Sequence, residues 1–562
     1  MMRKIILFFQ LIFLTTGDVW AYKELIHEKM SEEAAFSSML ADQKRLSHLG
    51  LQYGLDDKNQ KFPNSDNDDR TIRGLIRDGA HFEDSIFPPR SLHHFFNPRN
   101  NQGLFFLQSV RIPPFTPGSV SLPLIPVIGL PSPDWALGIE EGTLTQDFAY
   151  NDARQYLYDA LTIKPEAKRK ENYGKLFQTI GQVIHHVQDM AQPQHVRNDL
   201  HLIYTKGDSL YEKHTLAKYA GGTIPTDYPV VTLPTARSYW QTNTNGGDGV
   251  LTGMGMAEYT HRGFVSAGTN FRRMGFAIEP APGFPSPGSD FGRASVEDIT
   301  VLMPGTSLRG NVYFYGNDVH DSYTGESTPN PLMTTESVFD QDLMSRNLGP
   351  EVFTLNRLNY DAQAAFLIPR AVGYSTGLIN YFFRGKMEIS LPKELVYGIV
   401  DNSTLSAKDQ GFEKIRLKLK NITPPIVVPL GGTYEQDMLD GKLRAVVKYR
   451  RNPCFHLDYS GEVKFEVGDK IGDLRSKLLE QIVTWAGCNQ KLVYVDTKTE
   501  ISVSSEIIVA PGNTVPRDEA MPYTFDFSTS PIPIDAVDVY LQVVYRGKMG
   551  PIGDMAHQED DA

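Results

Sequence analysis

Ile184-His185-His186-Val187-Gln188-Asp189-Met190-Ala191-Gln192-Pro193-Gln194-His195 closes the clearest helical pattern in the chain. Upstream of it, Leu176, Phe177, Ile180, Val183, Ile184 and Val187 recur at helical spacing and form one apolar stripe, so a helix is predicted over Asn172 to Met190. On that helix His185 and Asp189 are four residues apart and project from one face, one turn above the other. Zn²⁺ accepts imidazole nitrogen and carboxylate oxygen at about 2.0–2.2 Å, so such a pair suits a clamp on one ion. Pro193 stops the helix, and His195 follows in the turn as a third donor. His186 lies about 100° round the helix from His185 and faces elsewhere, as a packing residue or a support to the ligands.

A lone His–Asp pair at this spacing is common, and its neighbours along the chain give it weight. Asp78-Gly79-Ala80-His81-Phe82-Glu83-Asp84 is followed by Arg90-Ser91-Leu92-His93-His94-Phe95-Phe96-Asn97-Pro98, and His27 lies in Leu25-Ile26-His27-Glu28. Seven of the fourteen histidines fall between His81 and His201, most of them beside carboxylates. His81 and Glu83 read as supports that orient ligands or as plain surface residues. His214, His261, His320, His456 and His557 have no such context.

Working outward, Glu24 to Leu40, Asp152 to Thr162 and Asn359 to Phe383 also read as helices, with Pro-rich loops over Ile112 to Pro133 and Glu279 to Pro287. The texture changes after Gly385. Glu388 to Val400, Phe412 to Leu419, Lys442 to Tyr449, Glu462 to Val467, Lys491 to Val495 and Ala536 to Tyr545 are short, partly alternating stretches separated by turn residues. One helical interruption is predicted over Ile471 to Trp485. The expected architecture is multidomain: a mainly α-helical domain over 22–385 with loop insertions, then a β-sandwich over 386–562.

Arg3 and Lys4 precede an apolar run from Ile5 to Leu14, and Val19-Trp20-Ala21 is a fair cleavage site, so 1–21 reads as an export signal. The run is too short to span a bilayer. The chain is therefore expected outside the cytoplasm, secreted or periplasmic. With 562 residues, 41% hydrophobic and 22% charged, the composition is globular, and the net charge of -12 disfavours a general nucleic-acid binder. The two cysteines, Cys454 and Cys488, could pair in an oxidising compartment but cannot build a Cys-rich zinc site. There is no G-x-S-x-G elbow, P-loop or dinucleotide fingerprint.

The H-x₃-D-x₅-H pattern at His185, Asp189 and His195, with an N-terminal His and an intervening Asp and His, resembles the signature of the zinc-dependent phospholipase C and S1/P1 nuclease superfamily. The resemblance covers roughly 22 to 385 and implies a mostly helical domain whose cleft holds up to three zinc ions. Carried over, it implies that Asp84, His94, His185 and Asp189 hold the first ion. Asp189 also bridges to a second, shared with His27 and with the α-amino group and carbonyl of the mature first residue. Cleavage after Ala21 makes that residue Tyr22, where the family usually has Trp. The third ion would take His195 and two later ligands. The family's H-x₃-E or H-x₃-D is met here by Asp208-Ser209-Leu210-Tyr211-Glu212, so His201 with Glu212 is favoured and Asp208 is the rival.

The resemblance implies a phosphodiester hydrolase, with phospholipid the first choice of substrate and Asp84 the general base or water-orienting group. The β-domain resembles the membrane-binding domain of some clostridial phospholipases in placement only, which implies peripheral membrane contact through it. No stable nucleic-acid complex is expected. Two alternatives stay open: a single-strand nuclease using the same metal site, and a non-catalytic secreted surface or adhesion protein with a structural zinc site.

Overall fold

The computed structural model describes residues 24–84, 90–108, 125–139, 146–199, 209–270, 272–274, 277–279, 292–298, 311–316, 318–337, 353–392, 398–399, 411–451, 499–510, 512–534 and 536–557. The export signal, Tyr22, His201, Asp208, both cysteines and the stretches predicted over Glu462 to Val467, Ile471 to Trp485 and Lys491 to Val495 lie outside them. Contacts divide the chain into two compact units. The first is Met1–Tyr156, Tyr173–Arg384 and Pro425–Tyr434, and the second is Leu157–Asn172, Gly385–Pro424 and Glu435–Ala562. Among the described residues no helix is long and apolar enough to cross a membrane.

The N-terminal region is helical. Its main elements are α1 (Glu24–Ser37), α2 (Ile72–Glu83), α3 (Tyr150–Thr162), α4 (Glu166–Asp189), α5 (Pro193–Val196), α6 (Leu210–Tyr219), α7 (Met256–Gly263) and α8 (Arg357–Phe382). Helix α4 starts six residues before the apolar stripe predicts. Its first turns, Glu-Ala-Lys-Arg-Lys-Glu, are good helix formers that need no apolar face, and Lys170 pairs with Glu166 at 3.2 Å. Every residue from Leu176 to Arg197 is buried. The apolar stripe thus accounts for only part of this helix, and its polar side chains also face the interior.

The predicted mainly helical domain also contains a sheet. Strands β1 (Gly292–Asp298), β2 (Asn311–Gly316), β3 (Thr334–Glu336) and β4 (Phe353–Thr354) form an antiparallel sheet in the order β4-β3-β2-β1. Part of the predicted 112–133 loop is likewise a strand, Ile125–Ile128, paired antiparallel with Phe105–Gln108. Most of these strands are short, and β1, β2 and Ile125–Ile128 carry Gly, Asn or Pro, so cross-strand pairing rather than local pattern defines them.

The C-terminal region is strand-rich. One antiparallel sheet pairs β7 (Lys414–Asn421) with β5 (Met387–Ser390), β6 (Gly398–Ile399) and β11 (Met521–Asp526). A second pairs β8 (Asp437–Arg451) with β9 (Glu500–Val503), β10 (Ile507–Ile508) and β12 (Ala536–Gly550). Alternate residues Leu443, Ala445, Val447 and Tyr449 of β8 share one buried cluster with Leu417 and Leu419 of β7 and Phe525 of β11. Period-two patterning thus gives both sheets a common core.

In the first unit, helices α2 and α4 cross with almost no separation. A Cβ on Gly79 would lie 1.9 Å from the carbonyl oxygen of Gln178, and one on Gly181 would lie 2.0 Å from that of Ile76. Only glycine fits at such a crossing, and it brings the C-terminal end of α2 against the last turns of α4. An Ala in place of a mid-helix Gly ordinarily stabilises by about 0.5–1 kcal/mol. At this crossing the backbone must instead move, and Gly181→Ala is expected to cost about 1–3 kcal/mol, read as a lower denaturant midpoint at unchanged slope. A neutral or stabilised variant contradicts the close crossing.

Candidate metal centre

Five elements deliver six side chains to one point inside the first unit. His27 comes from the first turn of α1, and Asp84 caps the C-terminus of α2. His94 follows the short 3-10 turn Arg90–His93, His185 and Asp189 stand one turn apart on α4, and His195 lies on α5, which begins with Pro193. All six are at most 1% exposed. A two-way strap fixes the 94–96 segment to α5: Phe96 N donates to His195 O at 3.0 Å, and His195 Nδ1 donates to His94 O at 3.2 Å.

Asp189 is the hub. Its Oδ1 lies 3.5 Å from His27 Nε2 and 3.6 Å from His195 Nδ1, and its Oδ2 lies 3.0 Å from His94 Nδ1 and 3.4 Å from His185 Nε2. Asp84 Oδ1 is 3.5 Å from His185 Nε2 and 3.6 Å from His94 Nδ1. Two groups of potential ligand atoms lie within 4.8 Å of one another, His27–Asp84–His185 and His94–His185–Asp189. The rings of His27 and His185 stack at 3.8 Å. Among the described residues, every ion-pair partner of Asp189 is an imidazole, with no Lys or Arg.

Proton placement fits metal ligation. A carbonyl oxygen only accepts, so Ala80 O at 2.8 Å fixes the proton of His185 on Nδ1, and His94 O does the same for His195. His185 Nε2 and Asp189 Oδ2 then face each other as two acceptors, and neither makes a hydrogen bond. Both nitrogens of His94 also lack hydrogen-bond geometry, although Nδ1 is close to Asp189. Buried acceptors aimed at one another cost free energy unless a cation or proton lies between them. Burial pushes the His185 imidazolium down to about 3. Burial also pushes Asp189 up, but His185, His94 and His195 more than offset it, and its carboxyl lies well below the usual range. A neutral imidazole beside an ionised carboxylate is the state a metal requires of its ligands.

A second layer backs the cluster. Glu83 accepts from Arg90 Nη1 at 2.7 Å, from Trp135 Nε1 at 3.2 Å and from His186 Nε2 at 3.0 Å. Ser132 Oγ meets His186 Nδ1 at 3.1 Å and accepts from Trp240 Nε1 at 3.3 Å. Burial raises the Glu83 carboxyl, but Arg90 and His186 pull it far below its ordinary value. Glu83, His94 and His186 form a third close group, yet both Glu83 oxygens already hold donors, so this group serves as support. His93 stacks on Trp135 at 4.0 Å and accepts from Leu130 N, while His81 is part-exposed and bonded to Glu28 at 2.9 Å.

Glu212, like His195, is in none of the three close ligand groups among the described residues. It is fully buried at the start of α6, where Ser209 and Glu212 form a capping box, and its Oε1 accepts from Gln194 Nε2 at 3.3 Å. Its carboxylate is therefore tied to the residue before His195. Sequence reasoning did not single out Gln188, Gln192 and Gln194. Gln192 donates to Asp189 Oδ1 at 3.2 Å, and Gln188 meets His27. The available signal is three glutamines recurring through the last turn of α4 and the turn that follows it.

No family model and no curated protein matches the chain. Among solved structures, the alpha toxin from Clostridium absonum aligns over 94% of this chain and 93% of its own at 10% identity, with a TM-score of 0.26. A likeness at that score carries no argument about the site, which rests on its own geometry.

If Asp189 is the hub, Asp189→Asn should lower the metal retained per chain, as measured by elemental analysis after dialysis, because one charge then no longer serves four imidazoles. His81→Ala should retain the full complement. Equal retention by wild type and Asp189→Asn contradicts the assignment.

Proposed function

We propose that the protein is an exported zinc-dependent phosphodiester hydrolase of the phospholipase C type, with a mainly helical zinc-hydrolase fold at the core of its first unit and a β-sandwich as its second. One observation carries this reading: a fully buried carboxylate, Asp189, whose two oxygens each face two imidazoles and, among the described residues, no Lys or Arg. That donor set fits zinc, which takes His nitrogen and carboxylate oxygen without needing cysteine. Asp84, His94, His185 and Asp189 would hold one ion. Asp189 with His27 and the Tyr22 α-amine would hold a second, and His195 with Glu212 and His201 (or Asp208) a third. Zinc bound there supplies a Lewis acid for the phosphoryl group and acidifies water at neutral pH.

The chain's own residues have three tasks. His27, His94, His185 and His195 are directed inward as nitrogen donors, and burial keeps His185 neutral. Asp189 supplies the charge that ties the positions together. Asp84, at a helix end and close to both His94 and His185, orients the attacking water and takes its proton at a carboxylate oxygen. Phospholipid is the favoured substrate, because the net charge of -12 opposes a nucleic-acid polyanion.

One observation favours a second reading. Burial of all six side chains to 1% or less suits a closed structural zinc site, in a surface or adhesion protein that works through its second unit.

Purified protein of known zinc content, assayed on a panel of phospholipid, single-stranded nucleic acid and simple phosphodiesters, separates these readings. Hydrolysis of phospholipid, abolished by a chelator and restored by zinc, is the expected result. Release of nucleotides makes the enzyme a nuclease, and a zinc-replete protein with no turnover supports the structural reading. Asp84→Asn should lose about 10²-fold or more of the rate, with zinc content measured alongside. Full activity at full occupancy removes Asp84 from the mechanism.

A further inference from the structure

The imidazoles of the centre are not held alike. His185 and His195 have Nδ1 fixed by backbone carbonyls, which no substitution at Ala80 or His94 removes. His27 Nδ1 instead meets a side chain, Gln188 Oε1, at 2.7 Å. Gln188 is fully buried, and its Nε2 donates to Ser31 Oγ on α1 at 2.9 Å and to Ser375 Oγ on α8 at 3.5 Å. One amide therefore ties α4 to two other helices while it reads the state of one imidazole.

The amide has two senses, and they have opposite consequences. With Oε1 toward His27, the ring carries its proton on Nδ1, and Nε2 presents a lone pair toward Asp189 Oδ1, 3.5 Å away. With the amide reversed, Nδ1 would accept and Nε2–H would point at Asp189, occupying the place of a cation. Both senses satisfy the two serine hydroxyls, which can donate or accept. The choice at Gln188 thus sets whether His27 is a ligand or a proton donor to Asp189.

We infer that Gln188 is a positioning residue for His27: its carbonyl holds the imidazole in the Nδ1–H form and so makes the ion that takes His27 separately adjustable from the others. This rests on the metal reading above. Because the backbone anchors of His185 and His195 do not pass through Gln188, loss of the Gln188 acceptor weakens one ion and spares the rest.

The test uses the full chain, stripped of metal and titrated with zinc against a chromophoric chelator. Gln188→Leu removes the acceptor, and Gln188→Glu keeps one. The expected result is about a 10–100-fold weaker affinity for one ion in Gln188→Leu, with the remaining ions at wild-type affinity and Gln188→Glu near wild type throughout. Unchanged affinities in Gln188→Leu, or equal loss in both variants, overturn the inference. Nitrogen-15 NMR of the His27 ring in the unsubstituted metal-free protein decides it without any variant. A proton on Nδ1 with bare Nε2 supports it, and a proton on Nε2 overturns it. If the unsubstituted protein takes up no zinc at all, the metal reading fails, and the NMR result still settles the role of Gln188.

Discussion

A carboxylate sealed inside a helical unit among imidazoles is the constraint from which the rest of the first unit follows. Taking an ionised carboxylate out of water costs several kcal/mol unless it is paired. Asp189 is fully buried, its ion-pair partners among the described residues are imidazoles, and burial suppresses the charge of one of them, His185. A neutral imidazole repays less of that cost than a cation does. The arrangement makes physical sense as the inner surface of a cation site, and poor sense as a core.

The elements around it serve that geometry. Glycines at 79 and 181 let α2 and α4 touch backbone to backbone, which puts Asp84 within 3.5 Å of His185. The paired hydrogen bonds between the 94–96 segment and α5 place His94 and His195 together although a hundred residues separate them. Behind them, the chain of donors from Trp240 through Ser132 and His186 to Glu83 ends on a carboxylate already neutralised by Arg90. A polar network this deep is tolerated because its members satisfy one another, whereas His185 Nε2, Asp189 Oδ2 and the His94 nitrogens make no hydrogen bond.

The sequence disclosed some of this and withheld the rest for identifiable reasons. Helix α4 was legible from its apolar period, and the i,i+4 relation of His185 and Asp189 followed from it. Strands β8 and β12 were legible because alternate residues enter the core. The sheet at 292–354 was not, since its strands are short, separated by long connections and defined by pairing partners. Glu212 is a candidate metal ligand by resemblance, and the fold adds what the sequence did not show, a capping box that it closes with Ser209. Gln188 looked like an ordinary polar residue. Its role comes from His27, Ser31 and Ser375, which lie far from it along the chain.

Crystals of the full chain grown with zinc, with anomalous diffraction recorded on both sides of the zinc edge, test the central claim most directly. The account predicts anomalous peaks within coordination distance, about 2.0–2.2 Å, of Asp189 oxygens and of imidazole nitrogens from His94 and His185. A zinc-soaked crystal with no peak beside Asp189, and with its carboxylate instead hydrogen-bonded to protonated rings, would contradict it.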